Sequence, residues 1–134
     1  MEEVLKPIIT EVGIIIGRDA IYLDKVNFIN EQTFELVGGF TGSLCENLDD
    51  DVETAYSIIF NNVHLFKMME LDFDEYEYVS SFDLIENSKQ LYKMITEDLE
   101  RNIKKIDNSY QHFIFRTYDT VFEIVGKDFK LILK

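Results

Sequence analysis

The sequence predicts an α+β fold: a mostly antiparallel sheet with one long helix packed on one face. Three observations lead there. Segments in the first half and at the end of the chain alternate apolar and polar residues with period two. One block after Ser81 instead repeats its apolar residues at steps of three and four. The order is strands, helix, strands, without the alternation of strand and helix that builds a parallel sheet. Hydrophobic residues make up 46% of 134 residues, enough to bury one core without disulfides or metal, so residues 1–134 are expected to form a single domain.

The elements follow in order. "PIITEVGIII" is rich in β-branched residues and reads as an opening strand. Ala20–Ile29 and Phe34–Phe40 flank a polar turn at Asn30–Gln32, a hairpin pattern. "GGFTGS" (Gly38–Ser43) has no Lys followed by Ser or Thr, so it is no phosphate-binding loop and reads as a bulge or strand exit that needs positive φ. After the acidic linker "CENLDDDVET" come "AYSIIF", an "NN" step and a long strand from Val63, bulged near Asn61 and Asn62.

From Ser81 the period changes. Leu91, Ile95, Leu99 and Ile103 share a stripe, which predicts the longest helix within 81–106 and these four residues buried. Ser80 and Asp83 have capping-box spacing, although Asn87 and Ser88 allow a start as late as Ser88. Closing strands follow the "DNS" stop, with turns at Tyr118–Asp119 and Gly126–Asp128. Residues 119–126 read as strand or, with Asp119 as a cap, as a helical turn.

The charge is uneven. Net charge is -13, and residues 44–86 alone hold 12 acids and one base. This disfavours binding to nucleic acid, which needs clustered Lys and Arg, and to anionic membranes. One cysteine, Cys45, and the absence of a signal-peptide pattern point to the cytoplasm. Cys45, His64 and His112 are too few and too scattered for a closed zinc site, and "NLDDDVE" fails the EF-hand spacing, so no metal or cofactor is expected.

"ELDFDEYEY" is the candidate site. As a strand it would set Glu70, Asp72 and Asp74 on one face at a repeat of about 6.6–6.8 Å, beside Glu75, Tyr76, Glu77 and Tyr78. Acids would steer a basic partner and tyrosines would anchor it; a solvated strand face shows the same alternation. Neutralising Asp72 and Asp74 should then leave folding intact. The leading functional expectation is a binding protein that masks a basic protein partner, such as an immunity protein or inhibitor of a nuclease-like toxin. Two alternatives stand beside it. One is a small metal- or ligand-dependent enzyme using the acidic middle segment and His64 or His112. The other is a structural subunit that forms a homo-oligomer through a strand edge.

Overall fold

A computed structural model describes residues 1–134. Its strands are β1 (Val4–Pro7), β2 (Ile21–Asn30), β3 (Thr33–Thr41), β4 (Glu53–Asn61), β5 (Leu65–Glu70), β6 (Phe82–Glu86), β7 (Gln111–Arg116), β8 (Thr120–Gly126) and β9 (Asp128–Leu133). One helix, α1 (Lys89–Arg101), lies between β6 and β7. The fold is α+β with mostly antiparallel sheet: 49% of residues are strand and 14% helical, so the sheets set the architecture.

The strands form two sheets, β1-β6-β7-β8-β5 and β2-β3-β4-β9, with every pair antiparallel. Period-two alternation explains their stacking. Phe34, Leu36 and Phe40 from β3 and Tyr56, Ile58 and Phe60 from β4 meet Phe82, Phe113, Phe115, Phe122 and Ile124 from the other sheet in one buried cluster. Aromatic edges fill its centre: the Phe82 ring lies 5.2 Å from Phe115 and 5.0 Å from Phe129, and Phe60 lies 5.6 Å from Phe113.

Two neighbouring corners carry the chain from one sheet to the other. Asn62, at φ 54°, ends β4 before β5, and Gly126 ends β8 before β9. They brace each other, since the Lys127 amide donates to Asn61 O at 3.2 Å and the His64 amide to Val125 O at 2.8 Å. The expected step at Asn61 and Asn62 is therefore a change of sheet.

Several expectations need correction. The opening strand is β1, earlier than predicted, and Thr10–Gly13 closes a turn. Gly38, Gly39 and Gly42 do not adopt positive φ. Gly38 is needed for space: a Cβ there would sit 1.7 Å from Tyr22 O, beneath the Tyr56 hydroxyl that donates to that same oxygen at 3.0 Å. The strand from Val63 is shorter than predicted, with β5 ending at Glu70 and a 3₁₀ turn following at Leu71–Phe73. Residues 120–126 are strand, because Val121, Glu123 and Val125 face one side and Phe122 and Ile124 the other.

The helix is shorter too. Residues 82–86 are strand, since Phe82 packs into the core while Asp83 and Ile85 face outward at period two. Asn87 then turns at φ 58°, Ser88 caps the helix, and Asn102, left-handed at φ 56°, ends it. Of the predicted stripe, Leu91 and Ile95 are half-buried, whereas Leu99 is 77% and Ile103 46% exposed. The inward positions belong to Leu91, Met94, Ile95 and Asp98, so the contact face is rotated from the one predicted.

Candidate functional site

The outer face of the five-stranded sheet would be solvated in a bare sandwich, yet its middle is buried. On β7 the outward row is His112, Ile114 and Arg116; on β8 it is Val121, Glu123 and Val125; on β6 it is Asp83 and Ile85. All eight are buried. Two coverings account for this: the strap from Leu71 to Ser81 and the N-terminal end of α1.

The strap contains most of the sequence-predicted site. Leu71 and Tyr76 pack on Ile85, Ile114 and Val121. The Asp74 carboxylate accepts from Arg116 Nε at 2.6 Å and from the Tyr76 amide at 3.0 Å. Tyr76 donates its hydroxyl to Glu3 at 3.3 Å, and burial pushes its pKa up, helped by the Glu3 charge. The Tyr78 hydroxyl accepts from the Gly17 amide at 2.7 Å, and its ring lies 5.1 Å from the Arg116 guanidinium. Glu70, Asp72, Glu75 and Glu77 are exposed, as is Phe73 at 69%.

The predicted single row of Glu70, Asp72 and Asp74 is therefore broken. The 3₁₀ turn at Leu71–Phe73 turns Asp74 inward to Arg116, away from the two exposed acids. Beneath the strap, Arg116 Nη1 also donates to Asp83 at 2.8 Å and to Ser80 O at 2.7 Å, while its Nη2 has no partner. Ser80 and Asp83 do hydrogen-bond as their capping-box spacing suggests, but at the start of a strand, where they hold Arg116.

The second covering begins at Ser88. Its Oγ accepts from the Leu91 amide at 3.0 Å and lies 2.6 Å from His112 Nδ1. His112 Nε2 lies 3.0 Å from Glu123 Oε1. The hydrogen bond from His112 holds the Glu123 carboxyl below its ordinary value despite burial, with help from the nearby Lys67 ammonium. Beside Ser88 and His112, a groove of about 690 Å³ opens between α1 and the sheet, with Leu84, Ile85, Leu91 and Ile95 among its walls.

Far from this groove's floor, Asp98 ties down the helix's C-terminal loop. Burial opposes its charge, but amides of Ile106, Lys104, Lys105 and Ile103 together keep its pKa below the ordinary value. His64 Nε2 lies 2.9 Å from both Lys105 O and the Tyr110 hydroxyl, so it serves the same loop. Burial pushes the Cys45 thiol up to about 11, leaving little thiolate near neutral pH. The acidic segment and the histidines do not converge: no group of three or more His, Cys, Asp or Glu side chains is placed to hold a metal ion.

Sequence reading missed Arg116, Asp83, Ser88 and Glu123. A signal existed in "QHFIFRTY" and "VFEIVG", where charged or polar residues fall among apolar ones on both strand faces. Strands apolar on both faces are covered on both, so their polar members must be paired. Comparison with protein-family models, curated proteins and solved structures finds no match to this chain. No helix is long and apolar enough to cross a membrane.

Proposed function

We propose that this chain is a cytoplasmic binding protein that masks a basic protein partner, in the manner of an immunity protein or an inhibitor of a nuclease-like toxin. The observation that carries this reading is the two-sided strap. Its inward residues, Asp74 and Tyr76, hold it to the sheet, and its outward residues, Asp72, Glu75 and Glu77, together with Glu70 at the end of β5, present four carboxylates to solvent.

Such a surface suits fast capture. Exposed acids raise the encounter rate with a basic protein, and a strap already held in place loses little freedom on binding. Exposed Phe73 and the 41% exposed Tyr78 supply apolar contact. The Tyr76 ring is committed to its own sheet, so its role here is to hold the strap. The same charge argues against nucleic acid as a ligand.

The test is capture from a native lysate with two baits, the unchanged chain and one carrying Glu70→Gln, Asp72→Asn, Glu75→Gln and Glu77→Gln. A basic protein retained by the first and lost by the second supports the reading. Equal retention by both baits removes the strap from the interface.

A further inference from the structure

We propose that Ser88, His112 and Glu123 form an acyl-transfer site at the floor of the groove beside α1, acting on small esters with an apolar acyl group. The hydrogen bonds run in one direction. The Glu123 carboxylate can only accept, so His112 Nε2 carries the proton and donates to it at 3.0 Å. In the neutral imidazole Nδ1 then bears the lone pair, and Ser88 Oγ, which accepts from the Leu91 amide, donates its own proton to Nδ1 at 2.6 Å. A hydroxyl donating to an imidazole whose other nitrogen donates to a carboxylate is the arrangement that activates a serine nucleophile.

Capping the helix needs only the bond from Leu91; the imidazole and carboxylate behind Ser88 exceed that need. The placement is suited to chemistry as well. Ser88 and His112 line the groove and Glu123 lies behind the imidazole, outside the lining. The volume, about 690 Å³, suits a small organic molecule. Leu84, Ile85, Leu91 and Ile95 would hold an apolar acyl chain.

The step balances as follows. Ser88 Oγ bonds to the ester carbonyl carbon as its proton passes to His112 Nδ1. The carbon–alkoxide bond breaks and the alkoxide leaves with that proton. Water then attacks the acyl-serine, giving a proton to Nδ1, and the carboxylic acid departs as Ser88 regains its hydrogen. Glu123 is a positioning residue throughout, holding the tautomer that leaves Nδ1 free.

The experiment treats the folded chain with a fluorophosphonate probe, locates the label by peptide mass spectrometry, and follows hydrolysis of p-nitrophenyl butyrate. Label on Ser88 is expected, together with hydrolysis of the ester. Ser88→Asn keeps an N-cap side chain while removing the nucleophile; it should lose the label and lower the rate by a factor on the order of 10² or more. Glu123→Gln should lower kcat with KM little changed, because the imidazole is less firmly held in the tautomer that leaves Nδ1 free. A folded wild type that leaves Ser88 unlabelled, or an Ser88→Asn variant that hydrolyses the ester at the wild-type rate, overturns the proposal.

Discussion

At the scale of single residues, Asp72 and Asp74 show how two acids of one motif acquire opposite roles. Asp72 is exposed; Asp74 meets an arginine whose side chain is only 1% exposed. Removing one partner of a buried ion pair leaves the other charge unpaired, a cost of about 3–5 kcal/mol. Asp74→Ala should therefore destabilise by about 3 kcal/mol, the lower end because Asp83 still holds Arg116. Asp72→Ala should stay within about 0.5 kcal/mol. Denaturant midpoints of the two variants decide this; equal midpoints would show that the Arg116 pair contributes nothing. The expectation that both acids can be neutralised without effect on folding thus survives for Asp72 alone.

Glu123 makes a pH prediction. Its folded pKa lies below the ordinary 4.5, through the His112 hydrogen bond first. A depressed carboxyl contributes stability that is complete above the unfolded value and is lost as pH falls through the folded one. Glu123→Gln should therefore reduce the loss of stability below pH 4.5 relative to wild type. Parallel acid-unfolding curves would remove Glu123 from that loss. None of these pairings was legible in the sequence, because Asp74 and Arg116 lie 42 positions apart and only the sheet register brings them together.

At the scale of elements, the helix was legible in kind and place but not in extent or orientation. Its apolar period is real, and Ser88 was among the starts the sequence allowed. The first predicted turns fell to β6 because Phe82 and Leu84 are worth more against the core, at period two, than on an exposed helix. Its end is set by Asn102, and by Asp98 accepting amides of Lys104, Lys105 and Ile106 at 2.6–2.9 Å. Leu99 consequently faces solvent, and Leu99→Ala should change stability by less than about 0.5 kcal/mol in denaturant unfolding. A loss of about 2–5 kcal/mol, the range for a core leucine, would mean the helix packs through the originally predicted stripe. Asp98→Ala should speed amide hydrogen exchange at Lys104–Ile106 while leaving the core strands protected; uniform exchange rates would deny Asp98 that local role.

At the scale of the whole molecule, the class of fold followed from period two and element order, while the division into two sheets did not. Nothing local to "NN" or to Gly126 says whether the chain turns within a sheet or leaves it; that depends on Asn61 and Lys127 meeting at the corner. The acidic stretch was legible as a charged, alternating segment, and its in-and-out alternation persists from Asp74 to Glu77. What was hidden is the sheet underneath, with an arginine to receive Asp74 and an apolar patch to receive Tyr76. The result is a single strap in which inward groups fix the geometry and outward groups face solvent.

The central claim is that the outward carboxylates steer a basic protein to this strap. It is tested most directly by the association rate constant of the captured partner, measured by stopped flow across a salt series, for the wild type and for Asp72→Asn combined with Glu75→Gln and Glu77→Gln. Screening shortens the range of charge to about 8–10 Å near physiological ionic strength, so the wild-type rate should fall steeply as salt rises. The variant should associate more slowly at low salt and respond less to salt, with its denaturant midpoint unchanged. Identical rates and salt slopes for the two proteins would contradict the claim and leave the strap's acids as a solvated surface.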